Sequence, residues 1–597
     1  MASTEKYDRQ LRLWGRNGQK SLVESRILLL GASCTGSETL KNLVLPGCGC
    51  ITIVDDATVT EGDVSSNFFT RTQDIGRSRA EVVKELMCEM NPDTKDSTHI
   101  NQSPAEYITS KNGSFNEFTL VIATQLPSPV LRQLAKACSA SGVPLLVVRT
   151  YGLIGYLRVI LPRCDHPIVQ DHKKNDTSDQ WIRNPWSELV AWRNTFDLDS
   201  QNSVDHMHTP WPVVLHHVLA KYQAEHGEDQ FKQLNRAKLG EYVLQCSMNH
   251  RIKLYQTELA NKKEDGPEPD DPRSSLPPLN YIEAKNRCYK ALNPADVPRD
   301  VTKVLKDARA NPTMLPSPLQ GGTNPVTNPA QNDNHLIFWV VMQAINRFMQ
   351  NEGRGFLPVT GTVVDLTASS SAYIAMQTQH QQKHANDVQS VTVHINNILK
   401  ECNLDASTLK TTPYADDMNT MVTTVLKNIR EVSLSTTTTL EEEYTNTGTD
   451  PNGDPQPASS LGEAFMMSQY DTESDKEMLG ALWYIMLRAC DRFWKETGKY
   501  PGSNPDATEE ELKSDSMNLI KHATELQNEL GYMWDFGYEK AAQEMTRYGA
   551  TEIHTVAAYI GGIAGQEAVK LISHQYTPMN STYIYNGING SAGSYLF

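Results

Sequence analysis

Apolar and polar residues follow two regimes along this chain. Over the first 160 residues, short unbroken apolar runs alternate with stretches of helical periodicity. ILLLG (27–31) is such a run, as expected of a strand covered on both faces. SETLKNLVLPG follows, with Leu40, Leu43 and Val44 on one helical face and Pro46-Gly47 as its stop. CITIVDD (50–56) predicts a second strand. RAEVVKELMCEMNP predicts a helix carrying Val83, Met87 and Met90 on one side. FTLVIAT (118–124) predicts a third strand and LRQLAKACSASG another helix. VPLLVVRTYG (143–152) predicts a fourth strand, and GYLRVILP (155–162) a fifth, antiparallel to it. Strand–helix alternation of this kind gives a mostly parallel sheet covered by helices, a Rossmann-like α/β unit.

After Pro162 helical periodicity dominates, in segments such as PWPVVLHHVLAKYQAEH and NDNHLIFWVVMQAINRFMQNEG. In the second, Phe338, Trp339, Val341, Met342 and Ile345 read as helix core. Polar, proline-rich runs at 264–280, 311–333 and 436–460 read as linkers, the last expected to be disordered. Its Glu441, Glu442 and Glu443 read as a solvated run. HTVAAYIGGIAGQEAVKLISHQ (554–575) is an apolar helix rich in small residues, suited to close packing on a sheet, and STYIYNG (581–587) is strand-like. The expected architecture is an α/β domain split by a large helical insertion, divided at 1–165, 166–545 and 546–597.

Composition narrows the partners. A chain of 597 residues is too long for one core, and two or three domains are expected. The net charge of -16 argues against nucleic acid or an anionic membrane as partner, since phosphate demands a basic surface. Ten scattered cysteines with no CxxC pair read as reduced thiols. The charged start, MASTEKYDRQLRLWG, carries no signal-peptide core, and no apolar run approaches the roughly 20 residues of a membrane span. Cytosol or nucleus is the expected compartment.

The first strand–helix turn is where phosphate chemistry would sit. A dinucleotide loop wants G-x-G-x-x-G, and this chain has Gly31-Ala32-Ser33-Cys34-Thr35-Gly36. Ser33 replaces the glycine that lets phosphate approach the backbone. Asp55 and Asp56 end the second strand, where a ribose-binding acid is expected. Gly31 and Gly36 therefore read as serving a tight turn and close strand–helix packing rather than a nucleotide.

Tyr7-Asp8-Arg9-Gln10-Leu11-Arg12-Leu13-Trp14-Gly15 resembles the opening signature of ubiquitin-activating enzymes and their bacterial ThiF/MoeB relatives. LKNLVLPGCGCITIVDDATV (40–59), DIGRSRAE (74–81) and HTVAAYIGG…QEAVK (554–570) are similar to that family in order and spacing. HTPW (208–211), GRGFLPVTGTVVD (353–365) and MLRACDRFWKETGKYPG (486–502) resemble the regulatory subunits of neddylation-activating enzymes. The resemblance implies a pseudo-adenylation domain and a catalytic-cysteine-like insertion without its cysteine. It also implies a catalytic partner subunit, a NEDD/Rub-type ubiquitin-like protein, and ATP with magnesium on the partner rather than on this chain.

Against the family pattern, several groups are missing. Ala57 stands for a second aspartate, Asp63 for an asparagine, and Ser66 lies near the arginine position. Arg79 stands for a lysine, and Ala123-Thr124-Gln125-Leu126 lacks the magnesium-binding aspartate. Gly31, Ser33, Gly36, Asp55 and Arg79 are thus expected to form a vestigial cradle. Arg9 matches the family arginine that reaches into the partner's ATP site, so it is expected to act as a finger there. Cys164 is placed where a nucleophile tempts, but it reads as an ordinary thiol, as do Cys246, Cys288, Cys402 and Cys490. Cys48 and Cys50 read as buried thiols at a strand start. His206, His208, His216 and His217 lack supporting cysteines or acids, and no metal site is expected. An autonomous MoeB-like enzyme, a nicotinamide-dependent oxidoreductase and an adaptor without a role in activation remain the alternatives.

Overall fold

The computed structural model describes residues 6–94, 96–162, 166–170, 181–198, 206–261, 271, 276–292, 297–311, 335–402, 404–405, 415, 417–445, 447–449, 455–457, 480–530, 537–580 and 582–595. Cys164, nearly all of the 311–333 run and much of 264–280 lie outside them.

Helix α1 (Asp8–Val23), broken at Gly15 where φ is 66, precedes strand β1 (Arg26–Leu30), helix α2 (Cys34–Val44) and strand β2 (Cys50–Val54). Helix α3 (Arg79–Met90) leads to β3 (Thr98–Ile100) and β4 (Leu120–Thr124). Helix α4 (Ser128–Ala140) leads to β5 (Leu145–Tyr151), followed by β6 (Ile154–Ile160). After the insertion, helix α5 (His554–Ser573) returns to the sheet with β7 (Thr582–Asn586) and β8 (Ser591–Tyr595). The eight strands lie in the order β8-β7-β6-β5-β4-β1-β2-β3. β3, β2, β1, β4 and β5 are parallel, and β6, β7 and β8 extend the sheet antiparallel. Two edge strands, β3 and β8, carry no sequence signal, since THI and SAGSY lack an apolar run.

β1 shows why these strands read as unbroken apolar runs. Ile27 and Leu29 enter one hydrophobic cluster and Leu28 and Leu30 another, so neither face tolerates a polar residue. On the first face lie α2 and α5, crossing so closely that glycine is required. A Cβ on Gly561 would stand 2.9 Å from the carbonyl carbon of Glu38, and one on Gly565 would stand 2.5 Å from Asn42 Cβ.

The second face is covered by helices of the 480–548 stretch. Helices at Gly480–Thr497, Glu509–Glu529 and Tyr538–Tyr548 bring Trp483, Leu526 and Met545 into one cluster with Leu28, Val121 and Leu134. Those helices cover the sheet rather than the insertion's cores. Helical periodicity announces an apolar face but not the surface it will meet. The insertion has two cores of its own, one around Trp211, Leu215 and Tyr281, the other around Trp339, Ile395 and Val422. Phe338, Trp339, Val341, Met342 and Ile345 are buried in the second.

The start of the run expected to be disordered is built into the structure. The Leu161 amide donates to Thr437 Oγ1 at 2.8 Å, and Arg158 donates to Thr438 Oγ1 at 2.6 Å. Glu443 is not solvated: it lies 3.1 Å from Arg158, both side chains being inaccessible, and accepts from Tyr484 at 2.7 Å. A charged run is normally exposed, but a buried arginine in a sheet demands a counter-charge.

The α2–α5 crossing predicts opposite outcomes for adjacent glycines. Gly561→Ala is expected to lower stability by about 1–3 kcal/mol through overpacking. Gly562→Ala, where a Cβ meets nothing within 4 Å, should raise it by up to about 1 kcal/mol through helix propensity. Denaturant unfolding of the two variants checks both signs.

Candidate functional site

In an open α/β sheet, ligands bind at the carboxyl ends of the strands where the winding direction reverses. Here that point lies between β1 and β4, and the Gly31–Gly36 loop leaves the sheet there. Gly31 adopts φ +94, and its Cβ would stand 2.7 Å from the Thr124 carbonyl oxygen. A Cβ on Gly36 would stand 2.2 Å from the Gly31 oxygen. Both glycines are thus required by packing alone. Ser33 is the N-cap of α2 but makes no capping hydrogen bond, and among the described residues its buried hydroxyl has no hydrogen-bond partner.

Two amides of the loop and the Thr35 hydroxyl are taken by the chain's own carboxylates. The Thr35 amide, in the first turn of α2, donates to Glu552 Oε2 at 2.6 Å, and the Thr35 hydroxyl does so at 2.7 Å. The Ala32 amide donates to Asp55 Oδ2 at 2.6 Å, and the Ala57 amide to Asp55 Oδ1 at 2.8 Å. Arg79 is clamped between two acids: Nη2 and Nε donate to Asp55 at 2.9 and 3.1 Å, and Nη1 to Asp63 at 2.9 Å. Burial works against the Arg79 charge, but Asp55 and Asp63 outweigh it and hold the guanidinium above its ordinary pKa. Burial likewise opposes ionisation of Asp63, yet the Thr60 hydroxyl and Arg79 hold its carboxyl below the usual range.

The strand-end positions after β4 are also turned inward. Thr124 Oγ1 donates to the Gly31 oxygen at 2.6 Å. Gln125, in left-handed backbone, donates from Nε2 to the Thr150 oxygen at 2.7 Å. The crevice therefore holds Asp55, Asp63 and Glu552 against Arg79, with no free cation drawn from the cradle residues themselves.

The ThiF family model matches residues 7–594. The NEDD8-activating enzyme E1 regulatory subunit of Danio rerio is 32% identical over 595 residues, spanning 99% of this chain and 98% of that protein. The NEDD8-activating enzyme E1 regulatory subunit AXR1 of Arabidopsis thaliana is 32% identical over 586 residues, spanning 98% and 94%. The chain belongs to the family of NEDD8-activating enzyme E1 regulatory subunits, within the ThiF family.

In this regulatory-subunit chain, Arg9 is placed quite differently from Arg79. It is exposed on α1 and makes no hydrogen bond or ion pair among the described residues. Its neighbour Arg12 is tied to Asp8 at 2.8 Å. The helix beneath Arg9 is firmly anchored. Buried Tyr7 donates to Asp93 at 2.7 Å and accepts from Asn91 at 3.2 Å. Tyr576 donates to the Leu13 oxygen at 2.7 Å, and Gln19 to the Pro46 oxygen at 2.8 Å.

Cys34, Cys48, Cys138, Cys288, Cys402 and Cys490 are buried, and burial pushes each thiol up, Cys48 to about 12. Such thiols are poor nucleophiles. Cys50 and Cys246 are half-buried. His206 stacks on His250 with ring centroids 3.6 Å apart, and His217 contacts the Arg193 oxygen at 3.0 Å. The four histidines of 206–217 do not converge on a point.

Glu552 escaped the sequence reading: it lies 517 positions from Thr35, and no local motif joins them. Glu552→Ala is expected to cost about 1.5–3 kcal/mol, the range of hydrogen bonds to a charged group, with Glu552→Gln costing less. Urea unfolding of both variants checks the order.

Proposed function

We propose that this regulatory subunit is the non-catalytic half of a two-chain activating enzyme for a NEDD8-type ubiquitin-like protein. The catalytic partner carries ATP, magnesium and the thioester-forming cysteine. This chain supplies the paired α/β domain, a wall for the modifier, and Arg9. The reading rests on one contrast. The Ala32 and Thr35 amides, Asp55 and Arg79 are bonded within the chain, whereas Arg9 stands exposed and, among the described residues, unpaired on an anchored helix.

The chemistry follows from the groups. Adenylation joins the modifier's terminal carboxylate to the α-phosphate and expels pyrophosphate, so negative charge shifts toward the leaving phosphates. A planar, permanently charged guanidinium presents two parallel donors to a phosphate and needs no proton bookkeeping. Held on an anchored helix, it is preorganised for that charge. In this chain's own crevice the same charge would meet Asp55, Asp63 and Glu552. Burial holds the described buried cysteines as thiols, consistent with thioester formation elsewhere.

In the complex with its catalytic partner, Arg9→Ala should slow ATP–pyrophosphate exchange about 10- to 150-fold, equivalent to 1.5–3 kcal/mol of charged hydrogen bonding. Arg12→Ala, whose partner Asp8 lies on the same chain, should leave exchange unchanged. An intact complex with unaltered exchange in Arg9→Ala removes the finger role.

A further inference from the structure

We propose that His166, His335 and His574 form a binding site for a divalent transition metal of the zinc class, at the seam between the α/β domain and its insertion. The three come from distant segments. His166 opens the strand His166–Val169, which pairs with Val432–Ser435 of the insertion. His335 is the N-cap of the insertion helix Leu336–Gln350. His574 is the C-cap of α5 in the α/β domain. One ligand atom from each lies within 4.8 Å of the others.

The donor chemistry suits such an ion. Imidazole nitrogen is a ligand for zinc, copper, nickel and iron, whereas calcium and magnesium prefer oxygen. All three rings are buried. Burial holds each below the usual imidazole range, His574 at about 4. His574 Nδ1 lies 2.7 Å from the Pro167 carbonyl oxygen, which can only accept, so Nδ1 carries the proton and Nε2 presents a lone pair. A backbone carbonyl orienting the second nitrogen is the usual support for a metal-bound histidine. Among the described residues His166 Nε2 is buried without a hydrogen-bond partner, an arrangement a metal would satisfy.

The rings are close enough to close on an ion by side-chain rotation. His166 stacks on His574 with centroids 3.7 Å apart, and His335 stands 5.0 Å from His574 and 6.2 Å from His166. Capture splays the His166–His574 stack. A cavity of about 310 Å³ borders all three rings, with Glu24 and Arg26 also in its wall, and leaves room for water as a fourth ligand. A bound ion would tie insertion to α/β domain at the point where the chain first crosses between them.

The test uses the full chain, stripped with chelator and titrated with Co(II), then with Zn(II). The expected result is one equivalent of Co(II) with visible d–d absorption, its displacement by Zn(II), and a thermal midpoint raised by zinc and returned by EDTA. His166→Phe keeps a stacking ring without a donor. His574→Asn suits the left-handed backbone, φ 54. Each should weaken binding at least about tenfold while near-UV dichroism stays native. No stoichiometric binding by the wild-type chain overturns the proposal, as does unchanged affinity in both natively folded variants. Should His166→Phe misfold, His574→Asn and His335→Gln decide the question by the same readout.

Discussion

The amino end of helix Cys34–Val44 must be satisfied by something. Its first N–H groups have no partner within the helix, and the helix dipole adds about half a positive charge there. A nucleotide phosphate is the usual answer in this fold. Here the answer is internal: Glu552, returning from the far end of the chain, accepts from both the amide and the hydroxyl of Thr35. The same logic runs through Asp55, which takes the Ala32 amide and clamps Arg79 together with Asp63. A carboxylate attached to the fold is present at fixed geometry. A free triphosphate would have to displace it, break the Arg79 clamp and enter a crevice of like charge. Each displaced charged hydrogen bond stands at about 1.5–3 kcal/mol.

This internal closure also organises the domain. Glu552 sits just before α5, whose glycines let it lie against α2. The bond to Thr35 therefore fixes the register of the chain's return to the sheet. On the opposite face two buried arginines do similar work. Arg149 makes a bidentate pair with Asp491 at 2.8 and 2.9 Å, and Arg158 meets Glu443. Removing one partner from such a pair costs about 3–5 kcal/mol, because the other charge stays buried. These pairs commit the segments flanking the insertion to the sheet, leaving the insertion to fold around its own two cores.

Much of the fold was legible because its signals are local. The ILLLG and LVIAT runs announced doubly covered strands, and the defect at Ser33 stood in plain view of the motif. What escaped notice depends on distance in sequence. Glu552 and Thr35 share no pattern, and neither do His166, His335 and His574. Glu443 resembled a solvated acid because its partner Arg158 lies in a strand far upstream. The helices of 480–548 showed an apolar face without disclosing that the sheet would receive it. Local periodicity encodes elements, but counter-charges and packing partners are set by tertiary proximity.

The central claim is that this crevice is closed by the chain's own carboxylates. Equilibrium dialysis of the purified chain against labelled ATP with magnesium tests it most directly, alongside the same measurement on its complex with the catalytic partner. The prediction is no saturable binding by the chain alone and a single nucleotide in the complex. Saturable binding by the isolated chain, abolished by substitution of Arg79, would contradict it.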